Sequence, residues 1–273
     1  QSLGAQVIAR GDGRFELVLF TGGLPGDGWN RGDAMQKAEG ETRGDATHFS
    51  SSTWSAKLQK GTLTLLDSDG TLTVLKKVDR QSPTLGAKPP QGALVLFDGN
   101  SAENFEGGKV VMGDLLLSGG ESVDKFAFAD HSIHLEFRTP FKPFATGQQR
   151  GNSGVYVQNR YEVQVLDSFG LEGKENECGG IYSISAPDVN MCFPPLEWQT
   201  YDIDFTAARY GDDGSKLKNA RITVHHNGVV IHDDRELPKS TPGKMSEGPG
   251  PEGLYLQGHG NPVVYRNIWV VAK

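Results

Sequence analysis

The sequence predicts an all-β protein, a two-sheet β-sandwich preceded by a small β-rich N-terminal unit. Three observations carry this. The 273 residues include 36 Gly and 14 Pro, the apolar residues fall in short alternating runs bounded by turn residues, and no long segment has the 3.6-residue period of an amphipathic helix. A chain of this length holds one large all-β domain or two unequal ones.

Taken in order, Gln6–Arg10 and Arg14–Phe20 alternate on either side of Gly11-Asp12-Gly13 and predict a hairpin, broken at Gly22-Gly23-Leu24-Pro25-Gly26. The polar stretch that follows, to about Ser52, predicts no element. Strand patterns return at Ser55–Leu58, Thr62–Leu66 and Thr71–Leu75. Asp67-Ser68-Asp69-Gly70 resembles a calcium loop, but such a loop needs a Glu about six residues after its Gly, and position 76 is Lys; the reading is a hairpin turn. Ser82–Pro90 has the composition of a linker. It separates an N-terminal unit, 1–88, from a second unit, 92–273.

The second unit opens with Ala93–Gly99 and continues through Leu115–Leu117, His131–Arg138, Trp198–Phe205, Gly253–Gln257 and Tyr265–Val271. Arg221–His226 and Val229–His232 flank Asn227-Gly228, the strongest local hairpin signal in the chain. Roughly ten short strands with turns between them predict two packed antiparallel sheets. Gly151–Gly170 is the most informative stretch. Val155, Val157, Val163 and Val165 alternate with polar or aromatic residues, so two strands joined at Asn159-Arg160 bury valines and present Tyr156, Gln158, Glu162 and Gln164 on the other face. That floor suits a polar ligand, against the plainer reading of a solvated sheet face.

The net charge of −7 and the absence of a Lys/Arg cluster argue against nucleic acid or an anionic membrane as partner. No apolar run approaches the roughly 20 residues of a membrane span. No signal peptide is visible, and the chain opens at Gln1, as a mature or trimmed chain does. Cys178 and Cys192 flank one loop and read as a disulfide, against the alternative of two free thiols; the bridge is expected to contribute about 3 kcal/mol and to favour an oxidising compartment.

Seven blocks stand in order: LFDG (Leu96–Gly99), HLEFRTP (His134–Pro140), GNSGVYVQNRYEVQVLDSFG, CGGIYSISAP, WQTYDIDF, VHHNGVVIHD (Val224–Asp233) and LQGHGNPVVYRNIWV (Leu256–Val270). Together they resemble the 3-keto-disaccharide hydrolase family, formerly domain of unknown function 1080, from Gly92 to the C-terminus. The resemblance implies a concanavalin A-like lectin/glucanase jelly roll, a periplasmic or secreted location, and action on sugars oxidised at C3.

A ketone at C3 acidifies the C2 proton, so a modest base removes it, the C1 oxygen leaves with help from an acid, and water adds afterwards. Glu162, His259 and Glu136 are the candidate catalytic groups. His259 carries an imidazole, the side chain suited to proton transfer or metal ligation, and lies among glycines. Glu136 shares a strand face with His134 and Arg138, and Arg138 either polarises the ketone or pairs with Glu136. Gln164, Tyr156, Asn152, Arg138, Gln257 and Asn261 are candidate sugar contacts; Arg266 joins the floor or caps its strand. No cofactor is certain, but a divalent metal is possible on His134, Glu162 and His259 if their strands converge. Trp198 and Trp269 read as core. His225, His226 and His232 read as solvent-facing rather than as a metal cluster.

Related glucanases of the fold carry ExDxE or ExDxxE on the matching strand. Here Gln164 replaces the middle Asp and the last carboxylate is Asp167, which counts against ordinary retaining hydrolysis. The readings left are a 3-keto-glycoside-cleaving enzyme, a non-catalytic glycan-binding module, and, third, a conventional β-glucan hydrolase.

Overall fold

A computed structural model describes residues 2–273, which fall into two compact units. The first takes the described residues up to Arg80 together with 142–145 and 169–172. It is a seven-stranded antiparallel sheet in simple sequence order. Leu17, Leu19, Phe49, Trp54, Leu63 and Leu65 are buried on one side of it. The polar stretch where no element is expected forms the strands Met35–Arg43 and Ala46–Ser50. Its pattern is faint because only Ala38 is buried on the first strand, and Gly40 leaves the space that the Phe49 ring fills. The expected hairpins form, with Asp12 and Gly13 both at positive φ between Gly11 and Arg14.

The second unit is the sandwich. Its larger sheet orders Lys109–Val111, Leu115–Leu117, Val264–Ala272, His131–Arg138, Gln199–Thr206, Ala220–His226 and Val229–Leu237, with Leu94–Phe97 also on Val264–Ala272. The smaller sheet orders Glu121–Ser122, Tyr255–Gly258, Ser153–Val157 and Tyr161–Val165. Their shared core sets Ile133, Leu135, Phe137, Tyr201, Ile203 and Val224 against Val155, Val157, Val163, Val165 and Leu256. Each fully buried side chain of this size contributes roughly 1.5–3 kcal/mol. Asn227 and Gly228 make the predicted tight turn at positive φ.

Strand alternation then decides what faces outward. On His131–Arg138 the odd positions enter the core, so His134 and Glu136 project from the outer face of the larger sheet. There the segment of linker composition covers them. Gly86 N and Arg266 Nε donate to Glu136 at 2.6 and 2.7 Å, and Asn267 Nδ2 donates at 2.9 Å. His134 Nδ1 lies 2.6 Å from Asp202, which also accepts from Thr84. Burial alone would raise the Glu136 carboxyl, but hydrogen bonds from His134, Asn267 and Arg266 outweigh it and hold it at about 2. Burial likewise pulls His134 down, and Asp202 and Glu136 more than reverse that, so its pKa is raised.

The expected disulfide is not formed. Cys178 and Cys192 are both buried and free, each thiol held as a hydrogen-bonding group. Cys178 Sγ meets the Tyr201 hydroxyl at 3.3 Å, and Cys192 Sγ donates to the Leu166 carbonyl at 3.4 Å. Without a bridge, the cysteines give no support to an oxidising compartment. His226 and His232 are also buried rather than solvent-facing, bonded to Gln199 and the Gly179 carbonyl. Burial pushes them down to about 3 and about 4.

Glu136→Gln should cost about 3 kcal/mol at pH 7 in urea unfolding. Because the folded-state pKa of Glu136 is the lower one, its stabilisation is present above pH 4.5, and the gap between variant and wild type should close as pH falls toward 2. Thiol titration without reductant should find both cysteines after denaturation and neither in the native protein.

Candidate active site

The outer face of the smaller sheet is a ruled grid. Register places Glu162, Tyr156 and Tyr255 side by side in one row, and Gln164, Gly154 and Gln257 in the next. Gly154 is the empty square. A Cβ there would lie 2.2 Å from Glu162 Oε1, so the glycine is what lets the Glu162 side chain lie down across the sheet. Tyr156 Oη stands 2.9 Å from Glu162 Oε2 and 2.8 Å from the Pro242 carbonyl, and accepts from Gln257 Nε2 at 3.1 Å. With its amide nitrogen turned toward acceptors, Gln164 donates to Glu162 Oε1 at 2.9 Å.

Glu162 is only 3% exposed. Burial pushes its carboxyl up to about 7, and the Tyr156 hydrogen bond offsets only part of that. Burial, the Glu162 charge and that same hydrogen bond push the Tyr156 phenol far above its ordinary range, so it remains a proton donor. Its single proton serves two acceptors.

The segment around Pro242 is a strap. Thr241 N donates to the Arg160 carbonyl, Thr241 Oγ1 accepts from Glu162 N at 2.9 Å, and Met245 N donates to the Asn159 carbonyl. Gly243, at φ +113, passes so close to Tyr156 Oη that a Cβ would lie 2.3 Å from it. A cavity of about 380 Å³ runs along the strap, lined by Ser183 and residues 239–246.

The other expected residues divide. Asn152 and Gln257 belong with the floor, and each has a buried amide oxygen with no partner, ready to accept from a ligand hydroxyl. His259 lies exposed in the turn after Tyr255–Gly258, where continuing the ladder would put it opposite Asn152. Asn261 is occupied in bracing that turn through Gly151 N and the His259 carbonyl, not in presenting an amide to a sugar. Gln158 leaves the floor: it and Asn159 take positive φ in the hairpin turn, and its amide bonds to the Phe128 carbonyl.

Glu136 and His134 are not part of this site, since they project from the other sheet, across the core. The set His134, Glu162 and His259 therefore does not converge, and no group of three or more metal-ligating side chains occurs among the described residues. Arg138 pairs neither with Glu136 nor with the floor; it stacks 5.0 Å over Trp198, and Glu136 takes Arg266, its direct cross-strand partner. Trp198 and Trp269 are half-buried on that outer face rather than in the core, Trp269 stacked on His134. Asp167 forms a buried ion pair with Arg150 at 2.6 Å, just beyond the end of the Glu162 strand, so no glucanase-like carboxylate pair is assembled.

Sequence reasoning misses Gly154, Tyr255 and the strap. A glycine inside a strand marks close approach and is the available signal; the strap has none.

A family model described as the 3-keto-alpha-glucoside-1,2-lyase-like domain matches residues 92–271. The chain is similar to a crystal structure of a "putative glycosyl hydrolase" from Parabacteroides distasonis, 30% identical over 73% of this chain and 92% of that one, with a TM-score of 0.63. A second such protein from the same organism is 16% identical over 67% of this chain and 94% of its own, with a TM-score of 0.47. No curated protein matches. No helix among the described residues is long and apolar enough to cross a membrane.

Because the folded-state pKa of Glu162 is the higher one, the contribution of Glu162 to stability should be fullest below pH 4.5 and decline by about 3 kcal/mol as pH rises to about 7 and beyond. Glu162→Gln should abolish that decline in urea titrations across pH. Gly154→Ala should cost about 1–3 kcal/mol by forcing the carboxylate off the sheet.

Proposed function

The chain belongs to the 3-keto-alpha-glucoside-1,2-lyase-like family, whose members act on carbohydrate, and we propose that it cleaves 3-keto-glycosides by elimination followed by hydration. The observation that carries this reading is Glu162: a carboxyl held at about 7 by burial, alone on its sheet face, with a phenol hydrogen-bonded to it. A base of that strength suits the proton beside a ketone, whereas retaining hydrolysis needs a second carboxylate on the same face.

In the first step the Glu162 carboxylate takes the C2 proton. The C2–H electrons pass to the C3 oxygen as an enolate; they then return to form the C1–C2 double bond as the C1–O bond breaks, and the departing oxygen takes a proton from an acid. His259, at the exposed end of the floor, is the candidate for that acid. Water then adds its oxygen to C1 and a proton to C2, releasing the 3-keto sugar. Tyr156 and Gln164 position the Glu162 carboxyl, and the unpartnered oxygens of Asn152 and Gln257 accept sugar hydroxyls. The sugar reaches Glu162 with the strap drawn back, and the returning strap excludes water from the base.

Wild type should release free sugar from a 3-keto-glucoside and not from its unoxidised parent. Since the base must be ionised, kcat/KM should climb with pH to a plateau above about 7. Glu162→Gln should lower it at least about 10²-fold, and His259→Ala should lower kcat with poor leaving groups most. Equal turnover of the unoxidised glucoside would contradict the reading, and saturable sugar binding without turnover would favour a glycan-binding module.

A further inference from the structure

Elimination beside a ketone places negative charge on the C3 oxygen, and neither Glu162 nor the groups bonded to it supply a cation to receive it. The cavity along the strap does. Its lining includes Lys239, Lys244, Ser183, Ser240 and Ser246 and no carboxylate, in a chain whose net charge is −7. Lys244 is the cation turned toward the floor. Its Nζ stands 4.3 Å above the centre of the Tyr255 ring and 3.1 Å from Ser122 Oγ. Tyr255 packs edge-on against Tyr156 at 5.3 Å, and Tyr156 bonds to Glu162. Tyr255, Tyr156 and Glu162 are direct cross-strand neighbours, so the ammonium and the base stand over strands about 10 Å apart. The Glu162 side chain leans back toward Tyr156, on the side of Lys244.

Resting on the reading above, we propose that Lys244 is a further catalytic residue: the electrophile that hydrogen-bonds the C3 oxygen of the 3-keto sugar and holds the enolate formed when Glu162 takes the C2 proton. The proton moves to Glu162, the electron pair to the C3 oxygen, and Lys244 keeps its own protons throughout. Lys244 makes no ion pair with a described carboxylate, so binding the substrate oxygen breaks none. Because it rides on the strap, the closure that encloses Glu162 also delivers the charge.

The test is steady-state turnover of a 3-keto-glucoside by wild type, Lys244→Met, Lys244→Arg and Lys239→Met, with thermal unfolding of each. Lys244 is exposed, so its variants should melt with wild type. We expect Lys244→Met to lose about 10²-fold or more in kcat with KM within about 3-fold, Lys244→Arg to recover part of the loss, and Lys239→Met to stay near wild type. The rise in kcat/KM through about 7 should persist in Lys244→Met, because Glu162 is intact. Binding of glucose 3-sulfate, which carries a fixed negative charge on O3, should exceed that of glucose in wild type and not in Lys244→Met. Lys244→Met activity within about 3-fold of wild type, or an equal loss in Lys239→Met, would overturn the assignment while wild-type turnover upheld the elimination reading. Absence of wild-type turnover would instead remove that reading, and the assignment with it.

Discussion

A single carboxylate enclosed on the outer face of a β-sheet is the constraint on which the site depends. Leaving Glu162 nearly without water costs free energy whenever it is ionised, and three features of the chain make the arrangement tenable. Gly154 gives the side chain a place to lie. Tyr156 and Gln164 each supply a donor. The valines that alternate with these residues are fixed in the sandwich core, so the strand cannot slip by one residue without burying the polar face and exposing the apolar one. The strap completes the enclosure from a segment some 80 residues further along the chain, as its contact between Pro242 and Tyr156 shows.

Glu136 is buried on the other sheet, and the contrast explains why Glu162 has acid–base character and Glu136 does not. Glu136 accepts from a backbone amide, an arginine and an asparagine and sits beside a histidine whose pKa is raised, so its charge is stabilised and its pKa falls to about 2. Glu162 has no cation bonded to it, so burial dominates and its pKa rises to about 7. Equal burial with different partners separates an anchor from a base. The anchor also ties the 82–87 segment across the larger sheet through Gly86, with Ser82 and Thr84 bonded to Thr200 and Asp202.

Much of this is legible in the amino-acid sequence. Alternation locates the sandwich strands, Asn227-Gly228 their tightest hairpin, and the Tyr156, Glu162 and Gln164 face the floor of the site. Alternation states which residues share a face of one strand, but not which sheet that strand joins, and this is why it leaves His134 and Glu136 free to be grouped with Glu162 although the core separates them. Gln158 fits the alternation and still leaves the floor, because the hairpin needs it at positive φ. His226 and His232 read as solvent-facing because their burial depends on Gln199 and Gly179, residues distant in sequence. Met35–Ser50 is silent for the opposite reason, since its strands carry few large apolar side chains to report their pairing.

The central claim is that the C2–H bond breaks before the C1 substituent leaves, and hydrogen isotope at C2 tests it most directly. Cleavage of a 3-keto-glucoside in deuterium oxide should give a 3-keto sugar carrying one deuterium at C2 from the first turnovers, faster than the free product exchanges in enzyme-free buffer. A product that keeps its C2 protium at early times, with solvent oxygen at C1, would show direct displacement at the anomeric carbon and contradict the account.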